Sequence, residues 1–159
     1  MTTSDVPQSW MPREQWDALV RGDDCPACDE VRSGATEEGY VVARLRVSQL
    51  RLMRNQFQAG YSVLVCMQHV PEPYHLCPED QVRFFQDLVR AAQALDRVFA
   101  PTKMNINLLG NLVPHLHAHL VPRYYGDPAP GRPIDPNLQV VVLTPGEYQE
   151  RVRQIQVAL

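Results

Sequence analysis

The strongest hydrophobic period lies between residues 78 and 100. There Phe84, Phe85, Leu88, Ala91, Ala92, Leu95, Val98 and Phe99 recur at helical spacing. Pro78 opens this helix where no intrahelical hydrogen bond is lost, Glu79 and Asp80 sit at its positive end, and Pro101 stops it. The apolar face reads as core, with any remainder a dimer surface. A shorter helix runs from Pro12 to about Val20, with Trp16, Leu19 and Val20 as its stripe. Other stretches favour strands. "GYVVARLRVSQLRLM" reads as one or two, "YSVLVCM" as a buried one, and "KMNINLLG", "HLHAHLVP" and "LQVVVL" as three more. "TPGEYQERVRQIQVAL" gives a terminal amphipathic helix. "RGDDCPACDE" reads as a turn-rich stretch, and "HVPEPYHLCPED" and "RYYGDPAPGRPIDPN" as proline-rich loops. Residues 1–11 show no period and are expected to fray. The pattern predicts a single α+β domain over residues 1–159: an antiparallel sheet of about five strands, one long helix and a C-terminal helix.

Composition changes this picture little. The chain has 159 residues, a formal charge of −3, and 45% hydrophobic and 21% charged residues. That charge gives no electrostatic reason to expect nucleic acid as a partner. No apolar run approaches a bilayer span, and "MTTSDVPQSWMPREQW" lacks the pattern of a secretory signal. The expected location is therefore cytoplasmic, where four cysteines are thiols or metal ligands rather than disulfides. Arg44, Arg46, Arg51 and Arg54 read as a solvated strand edge, the functional reading being a contact to distal phosphates.

The candidate chemistry is concentrated in "PHLHAHLVPR". Three of the five histidines, His115, His117 and His119, stand at every second position. On a strand they would share one face, roughly 6–7 Å apart along it, with Leu116, Ala118 and Leu120 on the other. A row of imidazoles suits metal ligation, or nucleophilic and acid–base chemistry near neutral pH. All three on one ion is awkward, because the third in line does not converge to a tetrahedron. "CPAC" has the spacing of a zinc knuckle and equally of a redox pair; free thiols are the plain alternative. A closed zinc site needs four ligands, and His69, His75, Cys77 and His115 are candidates to complete one with Cys25 and Cys28.

"HLHAHLV" matches H-x-H-x-H followed by two apolar residues and so resembles the histidine-triad (HIT) superfamily. "AGYSVLVCMQHV" is similar to that superfamily's strand before the long helix, and "LGNLVPHLHAHLVPRYYGDP" to its bacterial hydrolase form. The likeness covers about residues 40–128. It implies a HIT-like fold, a homodimer, and a nucleotide hydrolase acting at an α-phosphate without a catalytic cofactor. By the same resemblance, His117 is the nucleophile that forms a nucleotidyl-histidine. His119 contacts the phosphate or leaving group, the His115 carbonyl holds the His117 tautomer, and Asn111 binds a phosphate oxygen. Structural zinc would take Cys25, Cys28, His69 and His115. Two positions depart from the pattern. Tyr61 replaces a common histidine, and Met53 stands where a ribose-binding residue is usual, with Asn55 its nearest polar substitute. The base pocket is expected to be apolar and lined from the first strands. Dinucleoside polyphosphates and nucleoside phosphoramidates are the implied substrates. A nucleotidylyltransferase or phosphorylase and a non-catalytic nucleotide-binding module are the other readings; His119, often glutamine in the sugar-phosphate transferase branch, favours hydrolysis.

Overall fold

The computed structural model describes residues 9–159. Two short helices come first, α1 (Arg13–Arg21) and α2 (Pro26–Ser33). The strands β1 (Gly39–Arg44), β2 (Ser48–Met53) and β3 (Ser62–Cys66) follow, then α3 (Pro78–Phe99), β4 (Lys103–Asn107), β5 (His117–Arg123) and α4 (Pro145–Ala158). The five strands form one antiparallel sheet in the order β1-β2-β3-β5-β4. The expected α+β class, five-stranded sheet, long helix and C-terminal helix are all present. Of the stretch expected to fray, residues 1–8 lie outside the described residues; Trp10 packs edge-on against Trp16 of α1.

Register sorts the side chains of the central strands into two faces. Leu50, Leu64 and Ala118 align across β2, β3 and β5, as do Leu52, Ser62 and Leu120. This face is covered by Phe84, Leu88, Ala91 and Leu95 of α3 and by Tyr148 and Ile155 of α4. On the other face Gln49, Val65 and His117 form one row, and Arg51, Val63 and His119 the next. Both faces are covered at β3, which explains its unbroken apolar run. The buried carboxylate of Asp87 on α3 accepts hydrogen bonds from Val47 N at 3.0 Å and Ser48 Oγ at 2.7 Å, tying the β1–β2 turn to the helix.

Four local expectations are corrected. "RGDDCPACDE" is not all turn, because Cys25 caps α2 and Pro26 occupies its first turn, where a missing N–H costs nothing. "LQVVVL" forms no strand. It runs past the bend after β2, held by Gln56 N to Val141 O at 2.8 Å and by the Asn55 side chain, and exposes Leu138, Val140 and Val142. Phe85 lies outside the core at 44% exposure, on a solvent stripe of α3 with Val82 and Val89, while Ala94 joins the buried side. The basic run is not a uniform solvated edge: Arg51 is 4% exposed.

Candidate active site and metal centre

β5 begins at His117, so His115 stands before the strand rather than within it. The three histidines consequently separate. His115 is buried at 1% exposure, while His117 and His119 are half-buried with ring centroids 5.0 Å apart. Their hydrogen bonds fix much of the proton arrangement. The carbonyl of His115 can only accept, so His117 Nδ1, 2.6 Å away, carries the proton and donates it. The lone pair of a neutral His117 ring is then on Nε2. His119 Nδ1 lies 2.8 Å from the Tyr61 hydroxyl, and the two rings stack at 10°. Burial, with the nearby His117 charge adding to it, lowers the His119 pKa to about 4. Burial raises that of Tyr61, which therefore stays a phenol able to donate to His119.

One turn of chain away, Cys25, Cys28, His69 and His115 bring one ligand atom each to within 4.8 Å of one another. Cys25 and Cys28 Sγ each stand 3.5 Å from His115 Nδ1, and Cys28 Sγ is 3.4 Å from His69 Nδ1. His115 Nε2 donates to Cys66 O at 2.7 Å and His69 Nε2 to Val20 O at 3.1 Å. Both imidazoles thus turn unprotonated Nδ1 atoms, only 3.2 Å apart, into the same space. Two lone pairs repel; a cation between them removes the conflict. Burial lowers the His115 pKa to about 4, which keeps that ring neutral as ligation needs. Burial, then the Cys25 hydrogen bond and charge, pushes the Cys28 thiol up to about 11, outweighing the opposing pull of the Arg32 charge. The set has the donor types of a structural Cys₂His₂ zinc site, with carbonyls fixing the imidazole orientation. Gly22 permits the cluster: it ends α1 at φ 89°, and a Cβ there would meet the His69 ring at 3.3 Å. His75 and Cys77, the other candidate ligands, lie exposed near the start of α3 and outside the cluster.

A cavity of 170 Å³ lies between α2 and the sheet and ends at His117 and His119. Pro26, Ala27, Met53, Val63, Val65 and Val113 supply a mostly apolar wall drawn in part from the first strands, as expected, and Glu30, Thr36, Glu38 and Arg51 add polar groups to it. The buried Arg51 pairs with Glu30. Sequence reasoning missed Glu30 and placed Arg51 only in a basic run, as a solvated edge or a contact to distal phosphates. The available signal was a pair of polar residues, Gln49 and Arg51, inside a strand whose register makes it central.

The structure does not bring Asn111 or Asn55 to this cavity. Asn111 is exposed in the turn before β5. Asn55 donates to Pro136 O at 2.9 Å and accepts from Val141 N at 3.0 Å, which commits its amide to the 136–141 segment. Arg123 sits at the far end of β5 from the histidine pair. It pairs with Asp127 at 2.7 Å and donates to Asn105 Oδ1 and to carbonyls of the following loop. Tyr124 donates to Ala59 O at 2.7 Å.

An antiparallel sheet that carries a histidine pair at the start of one central strand, beside a cleft and a Cys₂His₂ cluster, defines an α+β protein of the histidine-triad class. The family model for the HIT domain matches residues 40–126, and the chain belongs to that family. An AP-4-A phosphorylase of Mycobacterium tuberculosis is 29% identical over 104 residues, covering 62% of this chain and 53% of the relative. A bis(5'-nucleosyl)-tetraphosphatase [asymmetrical] of Schizosaccharomyces pombe is 27% identical over 73 residues, covering 43% of this chain and 40% of the relative. The chain thus spans about half the length, or less, of these curated relatives. Among solved structures, a histidine triad protein from Marinobacter aquaeolei VT8 superposes with a TM-score of 0.69 at 27% identity, covering 82% of this chain and 93% of that one. A Zn-bound histidine triad family protein from Mycobacterium smegmatis gives 0.60 at 20% identity, covering 85% and 92%. No helix among the described residues is long and apolar enough to cross a membrane.

Proposed function

We propose that the protein hydrolyses a nucleoside phosphate derivative, a dinucleoside polyphosphate or nucleoside phosphoramidate, at its α-phosphate. The observation that carries this reading is the hydrogen bond from His117 Nδ1 to the His115 carbonyl, which leaves Nε2 as a nucleophile beside the cavity. His117 Nε2 attacks the α-phosphorus, and the bond to the leaving phosphate or amine breaks, giving a nucleotidyl-histidine. Water then attacks phosphorus, releases the nucleoside monophosphate and returns the electron pair to Nε2. His119 takes its proton on Nε2 when Tyr61 donates to Nδ1, and so presents a donor to the phosphoryl or leaving-group oxygen. Zinc bound by Cys25, Cys28, His69 and His115 supplies a structural cross-link and takes no part in bond making. A second copy of the chain is the proposed partner, docked through the β4 sheet edge and the exposed Val82, Phe85 and Val89 stripe; loss of the dimer in Phe85→Glu, read by light scattering, tests that contact.

The name of the mycobacterial relative favours a second reading, in which phosphate rather than water takes the nucleotidyl group. Diadenosine tetraphosphate separates the two. Hydrolysis gives AMP and ATP, whereas phosphorolysis in phosphate buffer gives ADP and ATP. AMP formation by wild type and not by His117→Ala supports the hydrolase. ADP formation dependent on phosphate replaces it with the phosphorylase, and no product from either tetraphosphate or adenosine phosphoramidate removes both.

A further inference from the structure

A chain of polar side chains runs along the cavity away from the histidines, and Thr36, Glu30 and Arg51 of it line the wall. Thr36 Oγ1 donates to Glu30 Oε1 at 2.8 Å, Glu30 Oε2 accepts from Arg51 Nη1, and Arg51 Nε donates to Gln49 Oε1 at 2.7 Å. The chain consumes the amide oxygen of Gln49 and leaves donors over. Arg51 Nη2 and Gln49 Nε2 are buried and have no hydrogen-bond partner among the described residues. A buried donor without a partner is costly, and a charged one more so. Arg51 itself lines the cavity, and its side chain is 5% exposed. Arg51, Val63 and His119 share one row of the sheet, so the guanidinium's strand stands two strand spacings, roughly 9–10 Å, from the histidine's.

The surroundings say what kind of group fits. Val63, Val65, Met53 and Ala27 offer apolar walls, which suit the faces of a flat ring rather than a sugar. A distal phosphate is disfavoured, because the carboxylates of Glu30 and Glu38 stand against the single guanidinium of Arg51. A neutral ring edge that carries a carbonyl acceptor beside N–H donors meets both demands. The acceptor takes the free Arg51 donor, and the ring N–H groups face the carboxylates.

We propose that Arg51, held by Glu30 and Gln49, is a specificity-determining residue that selects a guanine base through its O6 carbonyl over adenine, whose corresponding group is a donor. This rests on the nucleotide reading of the same cavity. A site built to hydrogen-bond one group discriminates strongly against an analogue that lacks it.

The test compares diguanosine and diadenosine tetraphosphate as substrates, and GMP and AMP as ligands by calorimetry, for wild type and Arg51→Lys. The lysine keeps a positive charge for Glu30 and removes Nη2. Each ratio is taken within one protein preparation, so a partly unfolded variant does not distort it. Wild type is expected to favour guanosine at least tenfold in kcat/KM and in affinity, and Arg51→Lys to bring both ratios within about threefold of one. Equal treatment of the two bases by wild type, a preference for adenosine, or a guanosine preference that survives Arg51→Lys overturns the proposal. A tenfold GMP preference that Arg51→Lys abolishes, with neither tetraphosphate cleaved, upholds base selection and defeats the enzymatic reading. Failure of both monophosphates to bind at millimolar concentration defeats both.

Discussion

The two faces of the sheet are made by alternate residues of the same strands, and they serve opposite ends. On the face under α3 and α4, Leu50, Leu52, Leu64, Ala118 and Leu120 are fully buried against apolar side chains. On the face under α2, the residues between them include Gln49, Arg51, His117 and His119, several of which carry hydrogen-bonding capacity that the fold does not use up. A strand's period of two lets one chain segment separate stability from chemistry within a single residue step. The face under α3 and α4 carries the larger core; the other mixes a smaller apolar cluster around Val31, Val63 and Val65 with these polar groups.

Four measurements break or sharpen that contrast. The largest effect is expected on the polar face. His117→Ala should lower α-phosphate turnover by more than about 10³-fold, and calorimetric melting should show it folded. On the apolar face the pattern should invert. Leu64→Ala should cost about 2–5 kcal/mol in denaturant unfolding, with kcat per folded molecule close to wild type. A Leu64→Ala enzyme that melts normally but has lost kcat would end the division of labour.

Acid should act on the polar face through His119. The His119 pKa is lowered from 6.5 to about 4 in the folded chain, so between those values the unfolded chain binds a proton that the folded one refuses. Stability attributable to this group is therefore complete above about pH 6.5 and falls as pH drops toward 4, by at most about 1.4 kcal/mol per unit. Unfolding curves from pH 7 to 4 should lose that share of their slope in His119→Gln. The smallest effect is expected for Tyr61→Phe. Losing one hydrogen bond to His119 should reduce kcat by about 3- to 10-fold, and its pH profile should shift on the limb that reports His119.

The same division explains what the sequence disclosed. The helix over 78–99 and the strand over 62–66 were legible because apolar period and proline boundaries act locally. So were the histidine pair and the ligand types of the cluster, since unusual residues at fixed spacing announce themselves. The choice of His69 over His75 depends on a chain reversal that brings α1, β3 and the start of β5 together, and spacing does not encode it. Asn55 lies away from the cavity because its amide bonds a segment 81 to 86 residues later, a long-range contact that spacing does not announce. "LQVVVL" carries a strand's composition, yet it passes a bend rather than a strand edge, so no ladder forms. Arg51 was read as solvated because arginine usually is; only register shows that its strand is central and that Glu30, from a helix, meets it there.

His115 joins two tasks through different atoms: its ring belongs to the cysteine cluster and its carbonyl to His117. The tie also reaches far along the chain, since Cys25 and His115 are 90 residues apart. A cation held by all four ligands would act as a tether closing a loop of that length, worth about 4–5 kcal/mol in chain-entropy terms against a relaxed unfolded chain. It would fasten α2, whose Pro26, Ala27 and Glu30 line the cavity, to the strand that bears the histidine pair. Occupancy of the cluster and of the cavity then becomes one linked equilibrium: whatever factor the cation adds to nucleotide affinity, the nucleotide returns to the cation. Chelator titrations with and without bound nucleoside monophosphate would read that factor directly.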